Sequence, residues 1–582
     1  MQPHLEPQQL EHNMDLSNAR SNWGSVRPIY DRLQANRKSD STGQSPEVTI
    51  SSWTEIGQTE ESVKVPEQRA YTDREPVISS ALADTLCSSL GIQGLLDLLN
   101  TTLGTSYTLD TPSVSFVLKD CVAQVYDFGT AYGRLRSTWR NQRQSIIQVE
   151  LWKREAKVIK RRRKAVKGGR IVNPNVGPQR VWDLYSNRVV PWWCCKVNFM
   201  SLNDKAGRPI SHAWVNEVDR VDVWTPINGY EWPVPIPKGA NLDLIRIEML
   251  NLGVEYTWLD VLCLRQRGGP REDLRKEEWK LDVPTIGSIY NYAGVGDLES
   301  DRSWFRRAWT VQEVGGWRTI AGDTPDGPLH AEPIDEAGNY ESEMLTKFHK
   351  QLESAATPPF SLYAALSAMQ DRISTYPIDK VAGLAYSLGT HSIPAYYESQ
   401  SLEDAWTALI NEMGWDNQGK LFSTYPEPGT GWQKWRPSWE QVMTKPLPND
   451  DWGRVANVGK DNDDSCEGPH IERGFVRGLA VAGVEGVDRC GELVVEDAEG
   501  IVHAFNILAS HHYPIPEDTY TLFGGDPFTP NSEIPLPQHW VVGRRLPSKM
   551  FEKVSVFTMT DVNEIMRLKE LGLSATSRSI LA

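Results

Sequence analysis

Residues 254–264 read Val-Glu-Tyr-Thr-Trp-Leu-Asp-Val-Leu-Cys-Leu, an apolar and β-prone run with Asp260 embedded in it. Such a run reads as a strand. Its surroundings agree. Arg208 to Ala213 reads as a short strand, followed by a loop through Trp224, Trp232, Pro233, Pro235 and Pro237. Asn241 then stands where it can cap a helix carrying Leu242, Ile245, Met249 and Leu252 on one face, and Gly253 falls at a left-handed C-cap. Strand, crossover and strand predict a parallel pair with a right-handed connection. After a polar loop over 265–270, Asp282 is expected to cap a helix that tolerates Pro284 in its first turn and turns Ile286, Ile289, Tyr290 and Ala293 inward. A further helix over 304–314 stops at Gly315-Gly316, and 317–321 reads as a strand. This alternation predicts an α/β sheet domain over 180–390.

A chain of 582 residues exceeds one compact core, so two to four folded units are expected. Residues 1–75, rich in Gln, Ser, Asn, Glu and Pro and without steady periodicity, read as a disordered leader. Residues 76–168 read as a helical region. Ile78, Leu82, Leu86 and Leu90 recur every four residues and continue through Leu95, Leu96 and Leu99. A second stripe runs through Leu118, Cys121, Val122, Val125, Phe128, Tyr132, Leu135 and Trp139. After a helix near 360–370, residues 391–582 read as β-rich, with alternation at Phe475, Arg477, Leu479 and Val481 and strands at 493–495, 501–505, 540–542 and 554–557. Asp561 and Glu564 have capping-box spacing before a last helix that closes at Gly572.

The net charge of −15 argues against broad nucleic-acid binding, yet it is unevenly spread. From Lys153 to Arg170 ten Lys/Arg stand against one acidic residue, a local +9 that leaves −24 on the remainder. The run Lys160-Arg161-Arg162-Arg163-Lys164, closed by Gly168-Gly169, reads as a nuclear address, an anionic-surface contact or a solvated helix end. No apolar run is long enough to cross a bilayer, and the first thirty residues or so lack a signal core. A cytoplasmic chain without a membrane partner is expected, with the nucleus open through the 160–164 run. Seven cysteines without a CxxC pair read as reduced thiols, and the sequon at Asn100 reads as chance. The 22 tryptophans, many beside polar residues, suggest extended and partly wet packing surfaces. Cys194-Cys195 and His511-His512 lack zinc spacing, so no metal is expected. Neither GxGxxG after a strand nor GxxxxGK[ST] is present, so no cofactor fingerprint is read.

Two places can carry chemistry. On a helix, Arg306, Trp309, Thr310 and Glu313 share one face, where a carboxylate, a cation and an indole could hold a sugar-like or nucleotide ligand. Spacing alone favours the plainer reading, Glu313 paired with Arg306 or Arg307 and Trp309 in the core. Asp260 is costly inside an apolar strand unless it finds donors or sits at the strand's C-terminal end, which faces the ligand crevice in open α/β sheets. His212, after Ser211 at the first strand's end, reads as a satisfied half-buried histidine, and Cys263 as a small apolar residue.

Three segments in order resemble the fungal heterokaryon-incompatibility (HET) domain: Ile210-Ser211-His212-Ala213-Trp214, then Trp258 to Gln266, then Arg307 to Glu313. Ile289-Tyr290-Asn291-Tyr292-Ala293 matches the family's intervening helix, and Arg372 to Gly383 its later block. Val215 stands where the family usually has Gly.

The resemblance implies a fungal protein that triggers programmed cell death on non-self recognition. It also implies a flavodoxin-like or TIR-like parallel sheet core, preceded here by the helical region and followed by the β-rich one. Some TIR domains hydrolyse NAD with a glutamate in a Trp-x-x-x-Glu helix, and Trp309 to Glu313 has that spacing. Glu313 would then be catalytic, with Ser211, His212, Asp260, Gln266, Arg306 and Trp309 around the substrate. NAD would be substrate rather than cofactor. TIR-type sites are completed between subunits, which implies a homo-oligomer and leaves room for a receptor-type partner. The alternative is a non-catalytic signalling module that works by self-association.

Overall fold

The computed structural model describes residues 47–49, 64–66, 76–139, 147–195, 207–212, 217–251, 254–290, 308–309, 323–324, 327–328, 333–335, 338–340, 346, 361–390, 392–449, 453, 455–459, 464–484, 486–528 and 535–582. Within the leader, β1 (Glu47–Thr49) pairs antiparallel with β2 (Lys64–Pro66). The rest of the expected disordered leader lies outside the described residues. So do the 317–321 strand and all of the 304–314 helix except Ala308 and Trp309.

The helical region holds α1 (Ser80–Ala83), α2 (Cys87–Leu103), α3 (Pro112–Ala123), α4 (Phe128–Trp139) and α5 (Ile147–Ala165). Both predicted stripes are broken, and local chemistry explains each break. Leu86 has an extended backbone ahead of α2 and is half exposed, while Leu95, Leu96 and Leu99 are buried. In the second stripe Val125 takes a left-handed φ of 55° and faces solvent. Asp127 Oδ1 then accepts the Thr130 N–H at 2.7 Å and starts α4 afresh. After α5, Gly168 and Gly169 (φ 56° and 74°) make the turn joining β3 (Val166–Lys167) to β4 (Arg170–Ile171).

The central sheet is built from β5 (Arg180–Asp183), β6 (Arg188–Pro191), β7 (Gly207–Ile210) and a later strand. Between them lie the antiparallel pair β8 (Arg220–Val223) and β9 (Val234–Pro237), then α6 (Leu242–Asn251). The later strand is β10 (Tyr256–Leu259), and the order is β6-β5-β10-β7. β10 and β7 are parallel, with Tyr256 opposite Gly207 and Leu259 opposite Ile210. β5 runs antiparallel to both β6 and β10, so the described sheet is mixed where the resemblance implies parallel neighbours. All four β10 residues are buried, so the strand is covered on both faces.

β10 ends one residue before Asp260, which begins the single turn α7 (Asp260–Cys263). The charged segment that follows forms α8 (Glu272–Asp282), a helix whose polar sequence hides its buried side. Asp282 therefore closes a helix rather than capping the next one, and its carboxylate meets Arg162 at 2.7 Å. Ile286, Ile289 and Tyr290 of α9 (Ile286–Tyr290) are buried as expected. β11 (Asp323–Thr324) and β12 (Gly327–Pro328) form a short antiparallel pair.

Ser361 caps α10 (Leu362–Gln370), and α11 (Ile378–Ala385) packs near it. β13 (Ile393–Pro394) pairs with β4. Residues 402–444 then form α12 (Leu402–Glu412), α13 (Trp415–Ser423) and α14 (Trp439–Thr444), so the β-rich region begins well after 391. It comprises β14 (Asn457–Val458), β15 (Ser465–Arg477), β16 (Arg489–Glu496), β17 (Val502–Ala509), β18 (Asp518–Gly524), β19 (Gln538–Arg545) and β20 (Phe551–Met559). The order β15-β16-β17-β20-β19-β18, with β18 pairing back to β15, closes a six-stranded barrel. Closure pairs each of these six strands with two neighbours, although β17 and β20 pair only at Leu508 and Thr558. In β15 Val476 is buried while Phe475 and Arg477 are exposed, and beyond the strand Leu479 is buried and Val481 exposed. α15 (Val562–Glu570) adds Ile565 and Leu568 to the barrel's own core. β21 (Ala575–Ile580) then pairs with the start of β15.

Two cores result. One is continuous from the helical region through the sheet and α10–α14 to the outer face of the barrel, at Cys466, Phe523 and Phe551. The other fills the barrel with Val476, Leu493, Phe505, Leu522, Trp540 and Phe557.

Candidate functional site

The parallel register of β7 and β10 brings two chain ends together. Ile210 lies opposite Leu259, so Ser211-His212 and Asp260 leave the sheet side by side at the strands' C-terminal edge. His212 Nε2 donates to Asp260 Oδ1 at 2.7 Å. The same oxygen accepts the Val261 N–H, the next amide of α7, at 2.7 Å. This resolves the cost of a carboxylate at the end of a buried strand: it is met by an imidazole and an amide. Sequence reading found both residues but not their pairing, because strand register is a long-range property.

Asp260 opens onto a cavity of about 730 Å³, within the size range of small-molecule sites. Its walls are strongly aromatic: Trp258, Trp279, Tyr290, Trp309 and Tyr376. Trp258 and Tyr290 meet edge to face at 5.6 Å, and Tyr290 Oη donates to the Ile210 carbonyl at 2.7 Å. Trp279 Nε1 donates to the Arg265 carbonyl at 2.8 Å. The Trp258 indole N–H is buried at this wall and has no hydrogen-bond partner among the described residues.

The polar rim carries both signs. Asp260, Asp379, Glu217, Asp222, Arg220 and Arg267 all line it, and Arg220 lies 3.7 Å from Glu217. Arg267 lies over the Tyr376 ring at 4.6 Å and meets Glu398 at 3.3 Å. Glu398 is held below the usual carboxylate range, chiefly by hydrogen bonds from Arg275. Burial raises the Tyr376 phenol above its ordinary range. Asp379 accepts the Tyr396 hydroxyl at 2.8 Å, and burial with that carboxylate pushes the Tyr396 phenol far up. Gln266 spends its amide N–H groups on the carbonyls of Leu264 (2.9 Å) and Asp260 (3.3 Å), which holds the loop closed behind α7.

Of the expected site residues, Asp260, Gln266 and Trp309 line the cavity, and His212 joins it through Asp260. Ser211 is buried beside His212 and is not part of the wall. Arg306 and Glu313 lie outside the described residues. Sequence reading missed the wall formed by the β8–β9 pair and by 373–376, whose composition carries no motif. Cys263 is buried and its thiol is pushed up to about 12 by burial, as suits a packing residue. Among the described residues no cluster of His, Cys, Asp or Glu is arranged to hold a metal. No described helix is long and apolar enough to cross a membrane.

The later block meets the third segment at the same cavity. The Ala308 N–H donates to the Ile373 carbonyl at 2.9 Å, and the Ala308 carbonyl lies where a side chain on Gly383 would reach, 3.0 Å from an ideal Cβ. No protein-family model, curated protein or solved structure matches the chain.

Proposed function

We propose that this chain is a heterokaryon-incompatibility protein whose 180–390 region is a TIR-like HET domain that hydrolyses NAD when assembled. One observation carries the reading. Residues from the second and third resembling segments, the intervening helix and the later block, Asp260, Trp309, Tyr290 and Asp379, line one nucleotide-sized cavity. The first segment joins them through His212. Segments that resemble one family in sequence order thus meet in space around a single opening. The parallel β7–β10 pair, with the cavity at its C-terminal edge, supports the flavodoxin-like part of the reading.

In this reading water replaces nicotinamide at the ribose anomeric carbon, giving nicotinamide, ADP-ribose and a proton. The bond to nicotinamide breaks first, and the ribose gains oxocarbenium character. The Glu313 carboxylate stabilises that positive charge. Aromatic walls hold the flat rings, and Asp260, fixed by His212, orients ribose hydroxyls. Nicotinamide leaves without a second carboxylate acting as acid. Completion of the site by a neighbouring copy keeps the reaction off in the monomer.

The test is NAD loss by the full chain, clustered through an appended oligomerisation tag, beside Glu313→Gln and Asp260→Asn. Loss of NAD that needs clustering and falls at least a hundredfold in E313Q supports the reading. Equal NAD loss with and without the Glu313 charge overturns the catalytic assignment. Cell killing that persists in E313Q with NAD unchanged transfers the function to non-catalytic self-association.

A further inference from the structure

α5 buries little of itself. Ile147, Leu151 and Ala165 face the protein, and Arg162 on the same side reaches Asp282 at 2.7 Å and the Gly177 carbonyl at 3.2 Å. The outward face is divided lengthwise. At helical spacing Val149 (42% exposed), Trp152 (55%), Ala156 and Ile159 (41%) form an apolar strip. Phe116 of α3, 48% exposed, meets Trp152 edge to face at 5.9 Å and widens it. Beside it, Lys153, Lys157, Lys160 and Lys164 form a basic strip at four-, three- and four-residue steps, with Arg161 on its far side and Arg163 closing the end of the apolar row. Among the described residues none of these six cations has an ion-pair partner. Glu150 on this helix is tied to Arg154 at 2.9 Å, and Glu155 lies beyond the apolar strip from the lysines.

We infer that this face of α5 docks on an anionic lipid bilayer. An apolar strip with Trp and Phe, flanked by lysines, is the arrangement that lies in a membrane interface: rings enter the acyl boundary while lysines reach the headgroups. The bilayer fits better than other polyanions for two reasons. Nucleic acid would use the lysines but leave the apolar strip in water. Protein interfaces are depleted in lysine, whereas polybasic clusters bind acidic headgroups directly. The +9 segment in a chain of −15 supplies the charge complementarity. This is a surface contact and not a span, and it stands whatever the cavity holds.

The experiment is co-sedimentation of the full chain with phosphatidylcholine vesicles, with or without about one third phosphatidylserine. Binding is expected only with the acidic lipid, and it weakens as salt rises. Each lysine of the strip changed to Gln weakens it about fivefold, and the four together by a few hundredfold. W152S weakens it further at constant salt. All positions are on the surface, so unchanged thermal midpoints show that the variants fold. No sedimentation with acidic vesicles at low salt overturns the inference. So does binding that ignores both substitutions, or a DNA duplex that binds more tightly than the vesicles and is indifferent to W152S.

Discussion

Arg136 and Asp183 face each other where the helical region meets the central sheet, Nε to Oδ2 at 2.9 Å and Nη2 to Oδ1 at 2.9 Å, both fully buried. The guanidinium lies near the rings of Tyr185 (4.9 Å) and Tyr256 (4.6 Å), and its Nη1 reaches Glu255 at 2.6 Å. The bidentate pair thus fixes α4 to β5. Removing one partner strands the other charge out of water, so R136M should cost about 3–5 kcal/mol in chemical denaturation. The double variant R136M/D183L leaves neither charge of this pair and should regain part of the loss. A double variant as unstable as the single one would show that packing, not the stranded carboxylate, sets the cost.

Lys553 sits where the outer face of the barrel meets α13. It is buried, its Nζ lies 3.3 Å from the Leu421 carbonyl, and the Phe422 ring is 5.9 Å away. Burial holds its pKa well below the ordinary lysine value. Between that lowered value and the unfolded value of about 10.4, the unfolded chain binds more protons. Stability from this group is therefore full above the unfolded pKa and declines as pH falls toward the folded one. K553M should raise stability by about 1–3 kcal/mol near neutral pH and flatten the alkaline part of the profile. Thermal melts of both proteins from neutral to alkaline pH measure this, and a wild-type midpoint independent of pH in that window would contradict it.

The sequence made the strands legible where a local pattern decides them. A strand does form within the 254–264 run, although it stops at Leu259 and Asp260–Cys263 turns helical, and the helix near 360–370 forms as Leu362–Gln370. It was misleading where apolar spacing crosses a break, as at Val125, because a four-residue turn keeps helical spacing without being helix. α8 was missed for the opposite reason. Its buried side includes Arg275, which pairs locally with Glu272 and, once distant segments meet, with Glu398. Tryptophans suggested wet surfaces, yet Trp182, Trp232 and Trp406 are fully buried with their N–H groups bonded to Asn187, Val261 and Pro437. At the candidate site the residue types were readable from the chain. The His212–Asp260 bond and the β8–β9 wall were not, because both depend on contacts distant in sequence.

His511 gives the barrel a pH response on the acid side. Its Nε2 lies 2.9 Å from the Val556 carbonyl, and burial lowers its pKa to about 4. The unfolded value is about 6.5, so between the two the unfolded chain binds the extra proton. The imidazole's contribution is intact above about 6.5 and is lost as pH drops toward 4, by up to about 3 kcal/mol. H511Q, which can still donate to Val556, should show a shallower acid slope. Urea titrations at several pH values between the two limits would refute this if the slopes of the two proteins coincide.

Gly383 links the later block to the candidate site through its packing. An ideal Cβ there would lie 3.0 Å from the Ala308 carbonyl and 3.3 Å from Met369 Cε, on a helix packed against the turn that carries Trp309. Alanine needs only a few tenths of an ångström of relief. Valine adds branches that must push either α10 or the 308–309 turn aside, at about 1–3 kcal/mol. Ala308 and Met369 are both buried in the main core, and Ala308 is followed by Trp309 at the cavity wall, so displacement on the Ala308 side reaches the cavity. G383V should therefore keep the fold, with a thermal midpoint lower by several degrees, and, under the proposed NAD hydrolysis, lose NAD turnover out of proportion to that change. G383A should retain most of both. If G383V lowers the midpoint while NAD loss per folded molecule stays at the wild-type level, the turn is not what shapes the cavity.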